Sequence, residues 1–361
     1  MNRVAVGMSG GVDSSVAAAI LVEQGHDVTG VYIEAYNEPG CRADDDKRDA
    51  IRVASQLGIR FQVLDLREQY KETVIKYFFD EYREGRTPNP DIVCNSEIKF
   101  GLFYDWACEQ GFDKVATGHY ARIVSFLGRP KDLTKDQTYF LWRVAPARLA
   151  QVIFPLGELR KDEVRKMARE LELPNADKPD SMGVCMMGEL NVPDFLKREL
   201  GEKPGEVVYK KFRTTKSSEL IKIGTHSGLW FYTIGQRGGW RINAKMQTEK
   251  MPPLYVSEKD IENNRLVVGE REKCYFSEFR IQSIEFRINK EEVNDLVNEN
   301  QLDVRIRNLG ELVRVTRMNK CTNTQIEITT VEPIFAPAPG QSAVLYADDK
   351  VIGGGVIANT P

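Results

Sequence analysis

Residues 4–25 read VAVGMSGGVDSSVAAAILVEQG: a short apolar run, a glycine–serine loop, then a second apolar stretch with helical spacing that stops at Gly25. A strand that ends in such a loop and opens a helix is a place where backbone N–H groups and a helix N-terminus converge on an anion. The loop is not a Walker A element, because no Lys-Ser/Thr pair follows Gly11, and the GxGxxG dinucleotide pattern is absent too. Ser9-Gly10-Gly11-Val12-Asp13-Ser14-Ser15 is therefore expected to hold phosphate of another chemistry, with a helix over about 14–24 behind it.

Outward from that loop the pattern repeats. HDVTGVYI (26–33), DAIRVASQLG (49–58), RFQVLDL (60–66), FGLFYDWACEQG (100–111) and FDKVATGHYARIV (112–124) alternate strand-like and helix-like runs, with Gly25, Gly58 and Gly111 each stopping a helix before a strand. The fold class this predicts is α/β, a doubly wound parallel sheet with helices on both faces. Residues 147–173, including KDEVRKMARELEL, read as helical again. Beyond about 200 the texture turns to short β runs between Gly and Pro turns, which predicts a small β-rich central domain and a C-terminal β-barrel. The boundaries expected are 1–199, 200–270 and 271–361.

The chain of 361 residues is 42% hydrophobic and 29% charged with a net charge of −3, the composition of a globular chain of two or three domains. It has no apolar stretch of membrane-span length and no signal-peptide pattern, so a cytoplasmic location is expected, with neither membrane nor DNA as partner. Six separated cysteines without a CxxC pair argue against a disulfide framework or a closed zinc site. Between 203 and 250, ten Lys or Arg stand against three Glu, either a solvated face or a surface for an anionic polymer. No protein-held metal is expected.

Two cysteines have distinctive surroundings. In GRTPNPDIVCNSEIKFG (85–101), Pro88 and Pro90 predict an extended loop and a helix starting near Asn95-Ser96, which puts Cys94 at a helix N-terminus where the dipole favours thiolate. In KPDSMGVCMMGE (178–189), Cys185 lies in a glycine-containing loop. On residue type alone, buried filler is the commoner fate of either.

The SGGVDSS loop resembles the PP-loop of the N-type ATP pyrophosphatase superfamily, in which the loop grips departing pyrophosphate while an acceptor oxygen attacks the α-phosphorus. The acceptor is left open by the loop itself: a carboxylate, a ureido oxygen or a nucleobase carbonyl. The longer series of TPNPDIVCN with EIKFG, VATGHYARI, KDQTYFL, KPDSMGVCMMGE, YTIGQR and APGQSAV is similar, over nearly the whole chain, to the tRNA-specific 2-thiouridylases (the MnmA/TrmU family). That resemblance implies an ATP-dependent sulfurtransferase that adenylates the C2 oxygen of the wobble uridine of tRNA. Persulfide sulfur then replaces that oxygen, giving 2-thiouridine with release of AMP and pyrophosphate.

Carried over residue by residue, the resemblance makes Cys94 the nucleophile and Cys185 the persulfide carrier, with a Cys94–Cys185 disulfide after turnover or, in a variant, sulfide released by Cys94. It assigns Gly7, Met8, Ser9, Gly10, Gly11, Val12, Asp13, Ser14, Ser15, Ile33 and Gly118 to ATP. It assigns Asn89, Pro90, Asp91, His119, Lys135, Asp136, Gln137, Arg307, Asn308 and Gln341 to tRNA. Lys210, Lys211, Arg213, Lys216, Arg237 and Arg241 suit RNA phosphates, as do Arg305, Arg307, Arg314 and Arg317 if the C-terminal strands put them on one face; the acidic residues 43–49 are expected away from the RNA. ATP and Mg2+ are the implied cofactors, and a cysteine desulfurase or sulfur-relay protein is the implied sulfur donor. With Asp91 where some relatives have Cys, the ligand set is mixed hard and soft, so free thiols are expected rather than an iron–sulfur cluster.

Overall fold

A computed structural model describes residues 1–36, 43–180, 186, 191–214, 217–243, 252–322 and 324–358, and of 211–214 and 217–219 the backbone alone. The first half begins with β1 (Arg3–Gly7), α1 (Val12–Glu23), β2 (Asp27–Glu34), α2 (Ala43–Gln56) and β3 (Arg60–Asp65). Helices α3 (Arg67–Tyr70) and α4 (Lys76–Arg83) follow, joined by a π-helical stretch, Lys71–Ile75. Next come α5 (Pro90–Val93), a second π-helical stretch, Cys94–Leu102, and α6 (Phe103–Glu109). The half continues through β4 (Lys114–Thr117), the short strands β5 (Arg122–Ile123) and β6 (Leu127–Gly128), α7 (Pro146–Leu149), β7 (Val152–Ile153), α8 (Lys161–Glu170) and α9 (Val192–Leu200).

Strands β3-β2-β1-β4-β7 form the expected all-parallel sheet. The order reverses between β1 and β4, so the crevice at their C-terminal ends is the topological switch point where α/β sheets bind ligands. Gly25, Gly58 and Gly111 do end α1, α2 and α6, with φ of +79°, +66° and +74°. One expectation needs correction: residues 147–173 are not continuously helical, because Val152–Ile153 joins the sheet beside β4. Those two residues lie between the turn after α7 and Pro155-Leu156-Gly157, a span too short for a helix but long enough for a two-residue parallel pairing.

The β-rich remainder comprises two sheets. The central one, in the order β10-β9-β8-β12-β11, uses β8 (Gly205–Thr214), β9 (Ser217–His226), β10 (Arg241–Ile242), β11 (Leu254–Asp260) and β12 (Arg265–Glu270). The C-terminal one uses β13 (Tyr275–Phe286), β14 (Asp303–Arg305), β15 (Val313–Lys320), β16 (Gln325–Phe335), β17 (Ser342–Ala347) and β18 (Lys350–Ile357), with α10 (Lys290–Asn298) between β13 and β14. Pairing of β13 with both β16 and β18 closes these six strands into an antiparallel barrel. The hairpin β5–β6 leaves the first half to extend the barrel sheet through β18. One hydrophobic core therefore spans the two: Phe100, Leu127, Tyr139 and Trp142 pack with Val344, Tyr346 and Val351. Among the described residues, no helix is long and apolar enough to cross a membrane.

Candidate active site

The glycine–serine loop turns at the C-terminal end of β1. Gly10 has φ +74°, and a Cβ there would fall on the backbone of Asp46, so α2 packs directly onto the loop. Helix α1 has Gly11 at its N-cap and no side-chain cap, which leaves its first-turn N–H groups to an external acceptor. Ser14 Oγ and Ser15 Oγ both donate to Gly11 O, and Ser9 N donates to Ser14 Oγ, so the hydroxyls stiffen the turn. Met8 and Val12 are buried beneath it. Gly118, on the segment after β4, lies so close that a Cβ would sit 2.6 Å from Ser14 N. Only glycine allows those two backbones to meet.

A cavity of about 580 Å³ opens over this loop. That is ample for a nucleotide. Its lining includes Gly7, Met8, Ser9, Gly11, Val12, Asp13, Ser14, Ile33 and Gly118, together with Asp91, Lys99, His119, Lys135, Gln137 and Asn308. Nine of the residues expected to face nucleotide and five of those expected to face RNA (Asp91, His119, Lys135, Gln137 and Asn308) thus line one space; Gly10, Ser15, Asn89, Pro90, Asp136, Arg307 and Gln341 are not in its lining. His119 is wedged between Phe100 and Phe154, with Nδ1 2.8 Å from Thr117 Oγ1. Burial, reinforced by Lys99, holds its pKa well below the ordinary histidine value, so it is a neutral imidazole at pH 7. Gln137 Oε1 accepts from Tyr120 N at 2.8 Å, and Asn308 Oδ1 is buried without a hydrogen-bond partner.

Two cavity supports, Lys161 and Asn175, lie outside the motifs of the sequence. Asp13 accepts from Tyr120 Oη at 2.9 Å and, on both oxygens, from Lys161 Nζ at 2.8 Å. Asn175 Nδ2 and Lys178 Nζ donate to Gly10 O, and Lys178 also holds Asp46 and Asp49. Asp46 and Asp49 of the acidic stretch 43–49 thus flank the phosphate loop, with Asp46 in the cavity wall. Lys161, Asn175 and Lys178 come from α8 and the turns after it; Lys178 opens the KPDSMGVCMMGE stretch, and nothing local marks Lys161 or Asn175 beyond a basic residue at the first position of a helix.

Other expected residues lie elsewhere. Pro90 is the first residue of α5, the position proline prefers, so the helix begins there and runs on through the π-helical stretch. Cys94 is therefore one turn inside the helix, with its backbone N–H already bonded to Pro90 O and Asp91 O, and not at the N-terminus. It is fully buried in a cluster with Val93, Ile98 and Phe195, against which Met186 packs. Cys185 lies outside the described residues; its neighbour Met186 lines the cavity. Among the described residues, Cys94, Cys108, Cys274 and Cys321 stand as thiols outside any disulfide.

Asp136 offers nothing to an RNA in this structure. It is fully buried, bonded to Arg129, Arg305 and Thr138. Arg305, 4% exposed, is its partner and does not share an outer face with Arg314 and Arg317, which pair with Asp303 and Glu278. Arg307 donates to Ala336 O. Gln341 Nε2 donates to Thr87 O and Pro88 O, and Asn89 N donates to Tyr77 Oη, so the loop ahead of α5 is held from the barrel and from α4. The side chains of Lys211 and Arg213, and all of Lys216, lie outside the described residues.

A parallel sheet with a PP-type phosphate loop at its switch point, sharing a core with a β-barrel, defines a three-part chain, and each part matches a protein family of its own. Residues 2–189 match the tRNA methyl transferase HUP domain, 193–270 the tRNA methyl transferase PRC-barrel domain, and 276–357 the aminomethyltransferase β-barrel domain. The chain is 44% identical to the tRNA-specific 2-thiouridylase MnmA 1 of Geobacillus kaustophilus over 98% of its own length and 95% of that protein's. It is 46% identical to MnmA of Akkermansia muciniphila, over 74% of this chain and 75% of that one, and 42% identical to MnmA of Staphylococcus saprophyticus, over 98% and 95%. The chain belongs to the tRNA-specific 2-thiouridylase family.

Proposed function

We propose that this chain is an ATP-dependent tRNA-uridine 2-sulfurtransferase acting on the wobble uridine in the cytoplasm. The observation that carries the reading is the shared cavity lined by the phosphate loop together with Asp91, His119 and Gln137. A nucleotide and a base placed there have the α-phosphorus and the C2 oxygen in one enclosed volume, where positioning supplies much of the rate.

The chemistry follows from what each group can do. The C2 oxygen of uracil is a poor leaving group as oxide. Its attack on the α-phosphorus forms a C2–O–P bond and breaks the bond to pyrophosphate, which the loop amides and the N-terminus of α1 receive. The terminal sulfur of a persulfide on Cys185 then adds at C2, and AMP leaves with the oxygen. Cys94 thiolate attacks Cys185 Sγ, the S–S electron pair passes to the base sulfur, and a Cys94–Cys185 disulfide remains for an external dithiol to reduce. Packing of Met186 against the cluster that contains Cys94 supports this pairing. Release of free sulfide by Cys94 is the variant route.

Asn89, Pro90, Asp91, His119, Lys135, Gln137, Arg307 and Asn308 are our candidates for RNA contact. Asp136 and Gln341 act on that surface by bracing it. The described residues contain no group of three His, Cys, Asp or Glu placed to hold a metal. Magnesium would arrive on the phosphate oxygens, with Asp13 in the loop as a candidate carboxylate, and would offset triphosphate charge. A cysteine desulfurase or a sulfur-relay protein would load Cys185.

The test is nucleoside mass spectrometry of unmodified wobble-uridine tRNA incubated with the protein, ATP, magnesium and a desulfurase with cysteine. 2-Thiouridine is expected with the wild type and absent with Cys94→Ser and Cys185→Ser. No 2-thiouridine from the wild type with a competent donor overturns the reading. Product from Cys94→Ser alone removes the disulfide step.

A further inference from the structure

Behind the cavity wall, Lys161 is fully engaged. Its ammonium donates to Asp13 Oδ1 and Oδ2 at 2.8 Å and lies 2.7 Å from Asp180 Oδ1, with the Tyr120 ring 5.9 Å away. Asp180 in turn takes Lys135 Nζ on its other oxygen at 2.8 Å, and Arg165 Nη2, also from α8, shares Oδ1 with Lys161 at 2.7 Å. The result is a line of alternating charge, Asp13–Lys161–Asp180–Lys135, whose two ends and whose Asp180 face the cavity, while Lys161 stands behind with a side chain 14% exposed.

A second link runs through the backbone. Asp132 accepts Lys161 N on one oxygen, and Thr134 N and Oγ1 on the other. The start of α8 and the turn that carries Lys135 are thus clamped together by the Asp132 carboxylate, independently of the Lys161 side chain. Burial tends to raise the Asp180 carboxyl, but Lys135 and Lys161 outweigh it and keep it ionised far below the ordinary range.

We propose that Lys161 is a positioning residue that holds the nucleotide-facing Asp13 and the RNA-facing Lys135 in one register through Asp180. The assignment of faces rests on the function proposed above; the geometry that links them does not. Lys161 touches neither substrate. It meets two carboxylates whose mutual repulsion it cancels, so its loss lets Asp13 swing off the loop and leaves Asp180 to Arg165 and Lys135, with the link between Asp13 and Lys135 broken. One side chain then affects the use of two different substrates, which no residue contacting only one of them does.

The experiment measures tRNA-dependent AMP release by the full-length protein, with kcat and KM for ATP and for unmodified tRNA. Lys161→Met is expected to raise both KM values about tenfold or more while kcat falls less than fivefold. Asp180→Asn, nearly the same shape, is expected to raise the KM for tRNA about tenfold and that for ATP less than threefold. Lys161→Arg should restore both KM values to within about threefold of wild type. A Lys161→Met protein altered only in the KM for ATP, or an Asp180→Asn protein with an unchanged KM for tRNA, overturns the proposal. If the methionine variant does not fold, the arginine and asparagine variants decide alone, through the KM split. A wild type without tRNA-dependent AMP release instead overturns the functional reading, and the two failures are distinct.

Discussion

The two loops that meet in the cavity are built by opposite means. The turn of the phosphate loop, residues 7–15, is shaped first by its own chain: its strand, its helix and its serine hydroxyls lie within a dozen residues, and the serine hydrogen bonds span five residues or fewer, with Asn175, Lys178 and Lys161 added from outside onto Gly10 O and Asp13. The loop at 86–93 is made by others. Thr87 N donates to Pro339 O, Gln341 holds Thr87 O and Pro88 O from more than 250 residues away, and Lys259 Nζ reaches from β11 to Gly85 O at its root. A phosphate site needs only backbone amides at a helix end, which a short segment can present unaided. A segment that faces a partner molecule has few contacts of its own, so the rest of the chain must fix it.

Four measurements bear on that contrast, in descending size. Asp136→Ala removes the anion between Arg129 and Arg305 and strands cations in a buried interface. Stability should fall by about 3–5 kcal/mol in denaturant titration. A loss under 1 kcal/mol would mean the barrel and the sheet domain do not depend on this contact.

Lys259 comes next. Burial depresses its pKa from 10.5 to about 7. A base with a folded pKa below its unfolded one binds fewer protons when folded, so the folded state gains stability as pH rises between those values, and loses it as pH falls towards 7. From pH 7 to 9.5, at 1.36 kcal/mol per unit, the gain is roughly 3 kcal/mol as an upper bound. The wild type should gain this increment over Lys259→Met, whose stability lacks the term. Parallel pH profiles of the two proteins would show that the lysine is charged in place.

Gly118→Ala tests the self-built loop. The added methyl meets Ser14 N and displaces the start of α1, so kcat/KM should fall about 10²-fold, on the scale of a 1 Å misplacement. The melting temperature should move far less than in Asp136→Ala. Gln341→Ala tests the other loop. It leaves two carbonyls short of a donor, worth about 1–2 kcal/mol, and should raise the KM for tRNA with little change in ATP binding. An effect confined to ATP would place the two loops under one control and erase the contrast.

The parts of the fold legible in advance were those whose signal is local. Helix-stopping glycines at 25, 58 and 111 and the SGGVDSS turn needed no distant partner. Val152–Ile153 read as helix because two residues carry no period, and only the free edge of β4 makes them a strand. Cys94 was misplaced by one turn because Pro90, read as a loop former, sits at a helix start where its missing N–H costs nothing. Asp136 lies next to Lys135 in a polar run, and nothing there reveals that Arg305, 169 residues later, claims its carboxylate.

By itself the sequence determined the phosphate loop, the alternation that makes a parallel sheet and the change to β structure after residue 200, because glycine dihedrals and apolar periods act within a few turns of chain. Only the tertiary structure decided which charges face the cavity and which brace it. Lys161 is an ordinary charged residue in sequence, Lys178 and Asp136 sit in motifs that do not tell their partners, and the roles of all three are set by the opposite charges that folding brings within 3 Å. An ion pair's energy depends on distance and burial, and neither is a property of the chain until it has folded.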